Sequence, residues 1–308
     1  MSTLFPEGAP SDFAQRAASP RRELGAYEAL WAREGAWFKS VAACFREHPG
    51  ALPSDFVSPQ EVEKYSHLAL RAIRGAGIER FGVRLHGAGD YPAKLRDAAH
   101  PVELLYFQGL WDLVHTRCVA VVGTRSPSAA GTRRASRLAR LLARDGFTVV
   151  SGLARGIDTA AHRGAIAAGG YTIAVLGTPI TEVYPPENRE LQRQIAAQHL
   201  LVSQVPILRY GMQHVRARRL FFPERNATIS ALCEASVLVE AGETSGSLVQ
   251  ARQTLKQGRR LFILDNCFRI PSLTWPLRLL EKGAIRVRDY EEIKSHLAAR
   301  DSGKAVGH

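Results

Sequence analysis

The chain has 308 residues, 45% of them hydrophobic, and carries 41 Lys and Arg against 29 Asp and Glu, a formal net charge of +12. That apolar content supports a buried core and excludes wholesale disorder. No run of about eighteen apolar residues exists, which excludes a membrane-spanning helix. The N-terminus, MSTLFPEGAPSDFAQ, has no basic stretch followed by an apolar one, so no signal peptide is read and a cytoplasmic location is expected. Cys44, Cys118, Cys233 and Cys267 are far apart and form no CxxC, which fits a reducing compartment, with no structural metal and no cofactor expected. The arginine-rich charge excess attracts polyanions, since neutralising phosphates releases counterions. A basic protein from an arginine-rich proteome would show the same excess, so the placement of the arginines has to decide.

Residues 1–25 are rich in Ala, Pro, Ser and Gly without periodicity and read as a flexible tail. Residues 26–80 read as a small helical N-terminal domain with Leu30, Trp31, Trp37, Phe38, Val41 and Phe45 as its core. Residues 81–116 read as a connector in which the apolar run Val102 to Phe107 forms an edge strand. From 117 to 298 apolar runs alternate with helical patterns: CVAVVG (118–123), FTVVSG (147–152), YTIAVLG (171–177), LLVSQV (200–205), SVLVEA (236–241), RLFIL (260–264) and AIRV (284–287). Ala135, Leu138, Ala139 and Leu142 supply one apolar helix face. Continuous apolar strands separated by helices predict an α/β fold with a doubly wound, mostly parallel sheet covered on both faces. Residues 299–308 read as a second tail.

Ligands in such folds bind beyond the carboxyl ends of the strands, and there the chain places Gly123-Thr124-Arg125-Ser126, Ser151-Gly152 with Arg155-Gly156, and Gly177. Glycine admits close backbone approach, helix N-terminal amides attract an anion, and arginine adds bidentate phosphate contacts. A nicotinamide dehydrogenase would need GxGxxG after the first strand, and a P-loop protein GxxxxGK[ST]. Neither occurs. Asp158 and His162 share a helix but have no third ligand beside them, so a capping Asp and a helix His are favoured over a metal site.

Two basic stretches remain. Arg133, Arg137, Arg140 and Arg144 form one helix stripe, better read as a solvated face. Arg209-Tyr210, Arg216, Arg218, Arg219, Phe221, Phe222 and Arg225 lie in a loop-like stretch that suits backbone contacts and base stacking, although the two phenylalanines serve equally well as core anchors.

VAVVGTRSPSAAG (119–131), VVSGLARGIDTAAHRGAIAAGGYTIAVLG (149–177), the run Tyr184 to Asn188, FPERN (222–226) and VEAGETSGSLVQA (239–251) resemble the DprA/Smf family in order and spacing, and GDYPAKLRDAAHPVELLYFQG (89–109) resembles the segment before its Rossmann-like domain. The resemblance spans about residues 81–290. It implies an extended Rossmann-like fold, a homodimer, single-stranded DNA as partner, and assistance to a RecA-type recombinase in natural transformation or DNA processing. On it, the DNA- or phosphate-binding set comprises the strand-end residues above with Arg219, Phe222, Arg225, Asn226, Ser245, Gly246 and Ser247. The family's RNRIIAGL reads Arg225-Asn226-Ala227-Thr228-Ile229-Ser230-Ala231-Leu232 here, its Pro-Gly after 260–264 reads Asp265-Asn266, and its C-terminal winged helix finds no room, which marks a shortened, diverged member.

No catalytic residue is assigned. Related phosphoribohydrolases carry GGxGTxxE, and Gln250 stands where that Glu would be, an amide that cannot act as a base. The alternatives are a nucleotide-messenger sensor of the wider superfamily, in which the same loops bind one nucleotide in a phage-defence setting, and behind it a nucleotide phosphoribohydrolase, for which Glu240 is the acid to watch.

Overall fold

The computed structural model describes residues 18–298. The chain opens with three helices, α1 (Pro20–Ala32), α2 (Phe38–Glu47) and α3 (Pro59–Gly75). The starts of α1 and α3 are legible locally: Pro20 and Pro59 sit in the first turn, and Ser58 and Glu61 form a reciprocal capping box. Helix α1 starts inside the segment read as a tail, and Glu23 and Leu24 are already buried. The absence of periodicity misled there because α1 is packed by α3, β1 and α7 on several sides, so no single polar face survives. Residues 1–17 and 299–308, where the remaining tail expectations fall, lie outside the described residues.

Strands β1 (Gly82–Leu85) and β2 (Leu104–Gly109) follow, then β3 (Cys118–Val122), α4 (Ala129–Arg144), β4 (Thr148–Ser151), α5 (Ile157–Ala167), β5 (Thr172–Leu176), α6 (Arg189–Gln198) and β6 (Leu200–Ser203). Three helices come next, α7 (Ile207–Met212), α8 (Val215–Arg218) and α9 (Phe221–Leu232), before β7 (Ala235–Leu238), α10 (Ser247–Lys256), β8 (Arg260–Leu264), α11 (Trp275–Leu280), β9 (Ile285–Val287) and α12 (Tyr290–Ala298). All strands join one nine-stranded sheet in the order β1-β2-β6-β5-β4-β3-β7-β8-β9. The strands from β6 to β9 in that order pair in parallel, while β2 runs antiparallel to β6 and to β1. The doubly wound α/β expectation is met, with 119–123, 148–151 and 172–176 on neighbouring parallel strands.

Two local readings change. The run Val102 to Phe107 supplies a strand, but an inner one: β1 takes the edge, where the Arg84 guanidinium lies over the rings of Phe107 and Trp111. The sheet thus draws in the segment 81–116 as well. The stretch 209–225 is helical, not a loop, because Tyr210 and Phe221 are buried and organise it.

Alternate residues of each strand face opposite layers. Ala120, Val122 and Leu238 pack with Ile229 and Leu232 of α9 and Leu248 of α10, and this layer is continuous with the N-terminal helices through Tyr27, Trp31 and Phe38. Val119, Val121 and Val237 pack on the other side with Ala135, Leu138, Ala139 and Leu142 of α4, as periodicity predicts, and with Ile293 of α12. Of the expected N-terminal core, Leu30, Trp31, Phe38 and Phe45 are buried, whereas Trp37 and Val41 are half-buried against it.

Candidate functional site

The strand order reverses between β3 and β7, which is where doubly wound sheets open a crevice. A cavity of about 510 Å³ lies there, walled by the turn after β3, the start of α9 and the segment leading into α10. Its lining includes Gly123, Thr124, Arg125, Arg219, Phe222, Arg225, Asn226, Ser245, Gly246 and Ser247 from the expected set. Ser151, Gly152, Gly156 and Gly177 shape it from behind. Ser126 and Arg155 do not line it.

Glycine at the strand ends is a packing requirement. A Cβ on Gly123 would stand 2.6 Å from Ile157 Cγ1 and 2.7 Å from the Glu240 carbonyl, so only glycine lets β3 end between α5 and β7. Gly156 has φ +80°, and any Cβ there would meet the Thr124 carbonyl oxygen and Pro127 of the first loop at 2.5 and 2.6 Å. The loop after β4 and the turn after β3 are thereby locked together, with Ile157 N–H donating to Thr124 O at 3.2 Å. Leu153, a buried non-glycine residue, holds φ +57°, a strained conformation sustained by its surroundings, including Asn188 Nδ2, which donates to its carbonyl at 2.9 Å. Ser151 is fully buried and donates its hydroxyl to Val121 O at 2.7 Å, so it braces two strands instead of facing a ligand.

Arg225 is the buried cation of the site. The guanidinium occupies the space that a side chain at position 152 would fill, and Nη1 donates to Val175 O at 2.9 Å. Burial pulls its pKa down to about 10, against the attraction of Asp158 and with the help of repulsion from Arg125. Asp158 accepts the amides of Gly152 and Ala154 at 3.2 and 3.3 Å, so it caps the loop after β4, and burial raises its pKa while Arg225 opposes the rise. Phe222 packs where a Cβ on Gly177 would be 2.5 Å from its ring, and the guanidiniums of Arg125 and Arg225 lie 5.8 and 5.9 Å from its centroid. Tyr184 stands edge-on to the same ring at 5.7 Å. Phe221 points the other way, into the core. Of the two neighbours, Phe221 is thus a core anchor and Phe222 is the ring that lines the cavity.

Several expectations move. Arg155 is exposed and reaches Glu187 at 3.5 Å, because the φ > 0 turn at Gly156 directs the preceding side chain away from the cavity. Arg218 stacks over Tyr210 and donates to Gln213 O at 2.9 Å, holding its own helical hairpin. Gln250 and Asp158 line the cavity, and sequence reasoning had read them only as a lost base and a cap. Gln250 is 3% exposed, and its Nε2 has no partner, a buried donor at the cavity wall. Helix α10 begins at this wall with Gly246 as N-cap; its first three amides are taken locally, Ser247 N donating to Ser245 Oγ at 3.4 Å, Leu248 N to Ser245 O at 3.0 Å and Val249 N to Gly246 O at 3.1 Å, so the helix end offers the space its positive dipole and not free donors.

Of the acids near this site in sequence, Glu240 accepts Ser128 N and Oγ at 2.8 and 2.7 Å and secures the start of α4, while Glu243 accepts Thr274 N at 2.9 Å and pairs with Arg278 at 2.6 Å. Among the described residues Asp158 is the one carboxylate lining the cavity. His162 donates from Nδ1 to Thr172 Oγ1 at 2.7 Å, since that hydroxyl donates in turn to Val149 O, and burial lowers its pKa to about 3. No group of three or more His, Cys, Asp or Glu is placed to hold a metal ion among the described residues, and no helix there is long and apolar enough to cross a membrane.

The arrangement offers guanidiniums, the N-terminal end of a helix, a buried amide donor and an aromatic ring around one open cavity. Comparison with known proteins agrees in region and fold. The sequence profile of the DNA recombination-mediator protein A family matches residues 83–298. The chain is 34% identical over 233 residues to the DNA processing protein DprA of Bacillus subtilis, covering 75% of each chain. It is 37% identical over 208 residues to the Smf protein of Escherichia coli, but there the match spans 67% of this chain and only 54% of that protein. The solved structure of DprA from Streptococcus pneumoniae superposes with a TM-score of 0.61 at 26% identity over 90% of this chain and 93% of that one. A structure of DNA processing protein A from Helicobacter pylori, described for its single-stranded DNA binding mode, superposes with a TM-score of 0.62 at 26% identity, covering 72% of this chain and 97% of that one.

Proposed function

The chain belongs to the DNA recombination-mediator protein A, or DprA/Smf, family, and from that premise we propose that it binds single-stranded DNA along the cavity between the ends of β3 and β7. The carrying observation is the convergence of Arg125, Arg219 and Arg225 with Phe222 on one open cavity at the start of α10. Arginines take phosphates, the positive end of the α10 dipole favours them, and the ring offers a base a stacking surface, a combination that tolerates any sequence. An open cavity admits a chain of nucleotides, whereas duplex DNA keeps its bases stacked inside and gains only the phosphate contacts. Preference for single strands follows.

The proposal is of a binding protein, not an enzyme. A phosphoribohydrolase needs a free carboxylate beside the sugar, and Glu240 and Glu243 are engaged elsewhere while Asp158 is held by two amides beside Arg225. Family membership supports cytoplasmic work on DNA in transformation or processing, as a homodimer that assists a RecA-type recombinase.

The test is a titration of fluorescent oligothymidylate against duplex of equal length and against mono- and cyclic nucleotides. Tighter binding to the single strand, falling steeply with salt, is expected. Equal or tighter duplex binding overturns the reading. Binding of a single nucleotide with no gain from a longer strand turns it into a messenger sensor, and release of free base turns it into a hydrolase.

A further inference from the structure

A second cleft, of about 380 Å³, opens at the same carboxyl edge of the sheet but on the opposite face, where β8 and β9 end against α4 and α12. Its rim carries Arg134, Arg137, Arg269 and Arg288, and its floor is apolar, with Leu138, Leu141 and Ile293 contributing. Arg134 and Arg137, three residues apart on α4, share one helix face, are exposed, and have no ion-pair partner among the described residues. The two acids of the cleft are already engaged. Asp265 accepts Arg269 at 2.6 Å and Arg286 Nε at 2.8 Å, and Asp289 accepts the Glu292 amide at 3.2 Å. Uncommitted guanidiniums over an aliphatic floor match a phosphate joined to a flat base, where a bare phosphate would leave the floor unused.

The cleft is tied to the first site. Asn266 Nδ2 and Cys267 Sγ both donate to Val239 O, at 3.1 and 3.5 Å, which fastens the turn after β8 to the end of β7. Only Glu240 and Ala241 separate that anchor from Gly242, where the first cavity's wall begins. We propose that this cleft is a second nucleotide site, filled by a further unit of the same strand that crosses the edge of the sheet. The source of the nucleotide as DNA rests on the proposed function, and the nucleotide chemistry of the cleft does not.

The experiment compares the wild type with R134A/R137A, and with R140A/R144A as a control that removes the same charge from exposed positions of the same helix outside the cleft. Oligothymidylates of about 6 and about 20 nucleotides, bracketing common single-strand site sizes, and thymidine monophosphate are titrated against each. R134A/R137A is expected to bind the long strand about tenfold more weakly, to leave the short strand unchanged, and to bind one mononucleotide fewer than the wild type, with R140A/R144A near wild type. Wild-type binding of all three probes by R134A/R137A overturns the proposal, as does equal weakening by both double variants, since either outcome reduces the cleft to general charge. If the wild type binds neither strand, yet binds the mononucleotide and R134A/R137A does not, the cleft stands and the DNA reading falls.

Discussion

The ring of Phe221, at the start of α9, lies 4.9 Å from that of Trp37, at the N-cap of α2, centroid to centroid. Phe38 and Tyr210 pack on the same ring at 5.8 and 5.5 Å. The N-terminal helices therefore hold the helix that presents Phe222 and Arg225 to the cavity. A second tie acts alongside: the buried Glu28 carboxylate of α1 accepts the amides of Ile207 and Leu208 at 2.7 and 3.0 Å and the Tyr106 hydroxyl at 2.5 Å.

Truncating the two phenylalanines should separate stability from binding. Phe221→Ala removes a fully buried ring and should cost about 3–5 kcal/mol of folding stability. Phe222→Ala should cost less than about 1.5 kcal/mol of stability and weaken oligothymidylate binding by about 1–3 kcal/mol, the usual worth of a base-stacking aromatic. Urea denaturation and fluorescence titration read the two quantities independently.

Arg125→Ala should weaken single-stranded DNA binding by about 1.5–3 kcal/mol, the range for hydrogen bonds to charged groups. Arg155→Ala should change it by less than about 1 kcal/mol, since that side chain is exposed and paired loosely with Glu187. Sequence alone treats these two arginines as equals. Equal losses would place the phosphate path over the loop after β4 instead of through the cavity.

Gly152→Ala is the sharpest probe of the buried cation, because its methyl group would occupy the place of the Arg225 guanidinium. Displacing that group from Val175 O should cost about 1–3 kcal/mol of stability, as overpacking does, together with DNA affinity. A variant with wild-type stability and binding would mean that Arg225 has another seat.

Acid should destabilise the fold through His162. Its pKa is about 3 folded against 6.5 ordinarily, because burial disfavours the cation. The unfolded chain thus binds the extra proton between those values, so stability is present above pH 6.5 and is lost as pH falls toward 3, by up to about 1.4 kcal/mol per pH unit. His162→Gln should flatten that part of the stability curve, measured by urea midpoints across the range.

Much of the fold was legible because its signals are local. Every strand from 118 to 287 announced itself as an apolar run, the α4 face appeared as a helical period, and glycine at successive strand ends marked the edge of the sheet at which the cavity opens. β1 and the true start of α1 escaped. The first is short and half-buried, and the second is enclosed on too many sides to show a polar stripe.

Which loop residues meet was a different matter. Read alone, the residues carry a parallel α/β sheet, its glycine-bearing carboxyl edge and a family resemblance, since period, composition and turn chemistry depend on neighbours in the chain. Only the tertiary structure decided that Arg225 and not Arg155 enters the cavity, that Phe221 and Phe222 face opposite ways, and that Glu240 is spent on Ser128. Those outcomes follow from β7 lying beside β3, more than a hundred residues away in sequence, which sets the walls of the crevice and the side chains that reach into it.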